Sequence, residues 1–170
     1  RPEKVLRKRK IIYIAHCVLN QNAVIRNWER AQGAFNNILG VLLEQNISIV
    51  QLPCPELTFL GENRQPKTKE EYDTFEYRNI CRQLAKRIVN QMKEYTNNNY
   101  QIIGLLGIGG SPSCDSLGKK GIFIEELFAL MGNENIYLDS FDIPEEYIEG
   151  EGEKTIKDFY YFCIDKLSKC

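Results

Sequence analysis

Four short apolar runs punctuate this chain, and the stretches between them repeat their apolar residues at helical spacing. Ile11 to Ala15, Ile47 to Leu52, Gln101 to Leu106 and Ile136 to Leu138 are brief and rich in Ile and Leu, so each reads as a buried strand. Phe35, Ile38, Leu39, Leu42 and Leu43 predict a helix within 31–45. Tyr77, Ile80, Cys81, Leu84, Ile88, Met92 and Tyr95 form one stripe along 74–95, which Asn97, Asn98 and Asn99 end. Helices are also expected over 122–131, closed by Gly132, and over 154–167.

Strands alternating with helices imply βαβ units and a mostly parallel sheet covered on both faces. Right-handed crossovers and sequential pairing favour a three-layer α/β sandwich of flavodoxin-like strand order 2-1-3-4. The 170 residues suit one domain, 1–170, whose first ten residues form a basic tail with six bases and one acid. A solvated lead-in to the first strand explains so short a run better than an anionic partner does. Overall charge is -1, which leaves no whole-domain basic surface for nucleic acid. No apolar run reaches the roughly 18 residues of a membrane span. The acidic stretch 139–153 lacks the spacing of a calcium loop and reads as a solvated face.

Six cysteines accompany a single histidine. Disulfide-dense scaffolds are short and loop-rich, whereas this pattern is helical and its basic start has no apolar signal core. A cytoplasmic chain with reduced thiols is therefore expected. Cys17, Cys54 and Cys114 each follow one of the first three strands, where ligands bind in parallel α/β sheets. Adjacent strands lie about 4.8 Å apart, so loops from three of them can bring sulfurs around one centre. Cys81 and Cys163 fall on apolar helical stripes and need only packing, and Cys170 is terminal. Cys81 to Arg87 has a phosphatase-like spacing but lies mid-helix, where no loop amides cradle a phosphate. The turn at Gly107, Gly109 and Gly110 matches neither nucleotide-binding glycine fingerprint.

Three thiolates leave two metal chemistries open. Zinc would need His16 or water as a fourth ligand and normally uses close Cys pairs, which are missing here. His16 and Cys17 would also point to opposite faces if the first strand ran through them. An iron–sulfur cluster with one open iron fits three thiolates better.

The motifs that carry these cysteines resemble a known family. Cys17-Val-Leu-Asn, Cys54-Pro-Glu and Ser111-Pro-Ser-Cys114, in this order, are similar to those of the thiouracil desulfidase (TudS) family. The stretch His16 to Asn22 is closer to its TudS-related desulfidase branch. The resemblance covers roughly residues 11 to 142 and implies a Rossmann-like fold with a 4Fe–4S cluster on Cys17, Cys54 and Cys114. It implies non-redox removal of sulfur as hydrosulfide from a small thiolated substrate, the free iron acting as Lewis acid. Glu56 would activate water or shuttle a proton, and Ser111 would position the substrate. An oxygen-exposed preparation would lose such a cluster.

The sequence also departs from the pattern. Asn20, Gln21 and Asn22 replace a second cysteine and an Arg-Tyr-Asp-Gly run, so thiouracil itself is not the expected substrate. Those residues, with Arg26 and Trp28, are expected to form the substrate wall. Asp115 stands where the family often has Gly, and Arg64 either faces an anionic group or sits in solvent, the second being the preferred reading. The alternative to an enzyme is a metal or iron–sulfur binding module, a sulfur carrier or sensor, in which Glu56 is a helix-start acid and Ser111 a turn residue.

Overall fold

The computed structural model describes residues 6–169, so the first half of the basic tail and Cys170 lie outside the described residues. Its sheet contains β1 (Lys10–Ile14), β2 (Ser48–Gln51), β3 (Gln101–Ile108) and β4 (Ser140–Ile143). All pairs are parallel and the order is β2-β1-β3-β4, as expected from the alternation. The helices are α1 (His16–Leu19), α2 (Asn36–Glu44), α3 (Pro55–Leu60), α4 (Lys69–Tyr72), α5 (Phe75–Asn97), α6 (Ile122–Asn133) and α7 (Glu153–Leu167).

Residue alternation divides the core. Ile11 and Tyr13 face the layer of α5 and α6, while Ile12 and Ile14 face that of α2 and α7. The long helix buries Tyr77, Cys81, Ala85, Val89 and Met92, a stripe at spacings of three and four that drives it onto the sheet. A register shift between β1 and β3 at Ile11/Ile12 pairs Ile12 with Gly104. A side chain at Gly104 would meet Phe162 of α7 at 2.9 Å, so this glycine lets that ring close on the sheet. Among the described residues no helix is long and apolar enough to cross a membrane.

The fourth strand lies later than its apolar signal. Ile136 is buried in the α5–α6 layer, Tyr137 is exposed, and the strand forms from Ser140-Phe-Asp-Ile143 instead. Periodicity selected the residues that pack, while backbone pairing with β3 falls on a polar edge segment. The long excursion after β2 is also more ordered than its polar composition suggests. It carries α3 and α4, the latter closed by a capping box between Thr68 and Glu71.

Candidate functional site

The carboxyl ends of β1 and β2 are in register, with Ile14 opposite Gln51. Cys17 and Cys54 each lie three residues beyond that pair. The first strand ends before His16, and α1 begins there, so His16 and Cys17 stand on a helical turn and not on opposite strand faces. His16 is held through both ring nitrogens. Nδ1 lies 3.2 Å from the Leu52 carbonyl, which can only accept, so Nε2 accepts from the Asn20 amide at 3.3 Å.

Cys54 caps the N-terminus of α3, its sulfur accepting from Leu57 N–H at 3.4 Å. Pro55 occupies the first helical position, where a missing N–H costs nothing. Glu56 follows in that first turn. The third loop returns on itself: Gly110 takes a left-handed φ of 78°, and Ile108 N–H reaches the Cys114 carbonyl at 3.0 Å. A side chain at Gly107 would meet that carbonyl at 2.6 Å, so the return needs glycine there. Asp115 is buried and binds Gly110 N–H at 2.7 Å and Gly118 N–H at 2.8 Å, pinning both ends of the loop.

These three loops enclose a cavity of about 380 Å³ walled by Cys17, Cys54, Cys114, Glu56, Ser111 and Ser113, among others. The three expected cysteines and both expected polar residues are thus brought together. Burial pushes the Cys17 thiol up to about 12, and repulsion from Cys54 adds to it. Cys114 is raised well above the ordinary thiol value by burial and then by Cys17 and Cys54. Cys54 is raised as well, chiefly by burial. Three thiols within electrostatic reach of one another are therefore neutral unless a cation draws their protons off. Among the described residues, no three His, Cys, Asp or Glu side chains are grouped closely enough to hold a single metal ion.

Glu56 is only 8% exposed and lies in a polar network built from two loops and two helices. Its Oε1 accepts from Arg64 Nε at 3.3 Å and from the Tyr72 hydroxyl at 3.2 Å. Its Oε2 accepts from Ser113 Oγ at 2.7 Å, and the Tyr77 hydroxyl lies 2.5 Å from that Oγ. Because Ser113 spends its only hydroxyl proton on Glu56, Tyr77 is the donor to Ser113. Oε2 retains one lone-pair direction, so it can accept a further proton donor such as water.

Arg64 differs from its expected place, and Ser113, Tyr72 and Tyr77 were not foreseen. Arg64 is buried, not solvated: it binds Glu56 and donates to the Ala23 carbonyl at 2.8 Å, joining the loop after α3 to the loop after α1. Ser113, and not Ser111, touches Glu56. Ser111 Oγ accepts from the N–H groups of Ser113 at 3.2 Å and Cys114 at 3.0 Å, holding the turn while lining the cavity. Tyr77 was visible in the sequence only as a member of the apolar stripe. The expected wall is formed by 21–30: Gln21 and Trp28 line the cavity, while Arg26 turns to a neighbouring one and pairs with Glu62 at 2.5 Å. Asn20 and Asn22 bind each other across a short turn, the Asn20 side chain accepting from Asn22 N–H at 3.1 Å.

Fold and site together define a parallel α/β protein with a thiol-and-carboxylate cavity at the carboxyl edge of its sheet. No family model matches the sequence, and no solved structure does. The chain is 44% identical over 152 residues to "Uncharacterized protein MJ0003" of Methanocaldococcus jannaschii, an alignment covering 89% of this chain and 96% of that relative. It belongs to the same family as that archaeal protein.

Proposed function

We propose that this protein is a cytoplasmic desulfidase of the TudS-related type, which removes sulfur from a small thiocarbonyl compound with the help of a 4Fe–4S cluster. The observation that carries the reading is the meeting of Cys17, Cys54 and Cys114 with Glu56 around one small cavity. The donor set supports a cluster over a single ion. A tetrahedral zinc with bonds of about 2.3 Å draws its sulfurs to about 3.8 Å from one another. The three thiols lie within electrostatic reach of one another at the ends of three strands, and three thiolates suit a four-iron cluster that keeps one iron open. Cys17, Cys54 and Cys114 would hold it.

When bound, such a cluster supplies a Lewis-acidic iron that polarises the thiocarbonyl sulfur. Glu56 takes a proton from water, whose oxygen bonds to the thiocarbonyl carbon as the carbon–sulfur bond breaks. Thiocarbonyl and water thus give carbonyl, hydrosulfide and a proton, with no net redox change. Arg64, Tyr72 and Ser113 fix the carboxylate so that its free Oε2 direction is the one available for that water. Trp28, Ile25 and Pro112 supply apolar walls against which a small planar compound can lie.

A non-catalytic sulfur carrier or sensor is the competing reading. It is favoured by the number of bonds Glu56 already makes, which suit a purely structural carboxylate. Anaerobic reconstitution with iron and sulfide, followed by absorption and electron paramagnetic resonance spectroscopy, tests the cluster. It is expected to load the wild-type chain and to fail with Cys17→Ala, Cys54→Ala or Cys114→Ala. Glu56→Gln then separates the readings: an enzyme keeps its cluster and loses sulfide release at least a hundredfold, as expected for a lost general base. A carrier is indifferent.

A further inference from the structure

Arg30 and Lys67 are the cations in the cavity wall whose charge the mechanism above does not use, and of the two Arg30 is the one fixed by hydrogen bonds to the chain. It sits half-buried between the cavity of the three thiols and the neighbouring one, lining both. Its Nη1 donates to the carbonyls of Pro144 at 2.6 Å, Glu145 at 2.8 Å and Tyr147 at 3.3 Å. The guanidinium also stacks 5.6 Å from the Phe35 ring centre. These contacts fix it firmly, yet they occupy a single nitrogen. Nε and Nη2, which form the other edge of the guanidinium, have no acceptor among the described residues. Among the described residues no carboxylate lies within ion-pair distance of it, whereas Arg64 and Arg78 both meet one.

This half-buried cation is held rigid with one donor edge unused and open to solvent, so an anion can reach it. The Nε–Nη2 edge matches the two oxygens of a planar carboxylate, to which arginine binds in a bidentate manner. We propose that Arg30 is a substrate-recognition residue whose free edge receives the carboxylate of a small thiocarbonyl acid bound in the thiol-lined cavity. The substrate class rests on the desulfidase reading; the carboxylate subsite rests on Arg30 alone. Glu145 and Glu146 lie close enough to interact with the guanidinium, so a monoanion is accepted more readily than a doubly charged phosphate. The volume of about 380 Å³, shared with whatever the three thiols hold, restricts the ligand to a single ring or its open-chain equivalent.

Trp28 is the only tryptophan, and it lines the same cavity, so its fluorescence reports occupancy. The test compares 2-thiouracil bearing a 6-carboxylate with its neutral 6-carboxamide, in the protein as isolated and after anaerobic reconstitution. Wild type is expected to bind the carboxylate at least tenfold more tightly, and Arg30→Gln to lose that preference while its circular dichroism stays unchanged. Equal binding of the two compounds by wild type, or a preference that survives in folded Arg30→Gln, overturns the proposal. If Arg30→Gln does not fold, Arg30→Lys decides: it keeps the charge without the fork, and an undiminished preference overturns the assignment. A 6-phosphonate that binds as well as the carboxylate overturns the monoanion choice. Arg30-dependent binding without sulfide release sinks the desulfidase reading and leaves the subsite standing; sulfide release from both compounds at equal affinity does the reverse.

Discussion

Ser111 and Ser113 stand two residues apart in one loop and serve different partners. Ser111 turns its hydroxyl inward to the loop's own amides, while Ser113 links Tyr77 to Glu56 in buried space. Removing a hydroxyl that satisfies two buried groups strands both of them. Ser113→Ala is expected to lower stability by about 2–4 kcal/mol and Ser111→Ala by about 1 kcal/mol, measured by urea denaturation. If the two variants are equally stable, the network around Glu56 is not as drawn. The motif Ser-Pro-Ser-Cys contained both serines but not their directions, because a loop has no periodicity from which to read a face. Arg64 was misjudged for a related reason. Its neighbours Glu62, Asn63 and Gln65 are polar, and nothing in that stretch announces an acceptor at Ala23, 41 positions away. The cysteines were legible because strand ends are set by apolar runs, and the runs were clear.

Between elements, the outer parts of α5 and α6 are joined by charges, centred on Arg78. It contacts Asp73 at 2.6 Å, Glu126 at 2.8 Å and Glu125 at 3.0 Å. The hydrogen bond to Arg78 holds Asp73 below the ordinary carboxylate range. Burial opposes the same shift at Glu125, but bonds from Lys69 and Arg78 outweigh it. Both folded-state values are depressed, so this stabilisation is complete above the unfolded carboxylate values and is lost as pH falls on through the lower folded ones. Arg78→Ala is therefore expected to cost roughly 1 kcal/mol at pH 6. The gap from wild type should narrow as melts are taken down to about pH 3. A gap that widens on acidification contradicts the assignment. The pairing of α5 with α6 was implicit in their stripes, but this charged seam was not, since its partners are brought together only by the side-by-side parallel packing of distant segments. The fourth strand was misplaced for the opposite reason: apolar signal and backbone pairing are separate properties, and at a sheet edge they part company.

At the scale of the molecule, the proposed cluster would convert its binding into stability. In the free protein the three thiols are neutral, held so by burial and mutual proximity, with Cys17 pushed up to about 12. A cluster must take them as thiolates, so loading releases protons and binds only the folded arrangement of three loops. A ligand present at about a thousandfold over its dissociation constant adds about 4 kcal/mol to the folded state. For a chain of 170 residues that corresponds to a rise in Tm of roughly 10 °C. Anaerobic reconstitution is expected to produce that rise, and exposure to air or chelator to reverse it. Cys81→Ala, which alters a helix stripe, should lower Tm in both states and keep the increment, because Cys81 packs in the α5–α6 layer and does not line the cavity. Cys114→Ala should remove the increment while leaving the free protein folded, since the pairing of Ile108 with residue 114 uses the backbone carbonyl and not the sulfur. An increment that persists in Cys114→Ala would mean that iron binds elsewhere, and the three strand-end cysteines would then be packing residues after all.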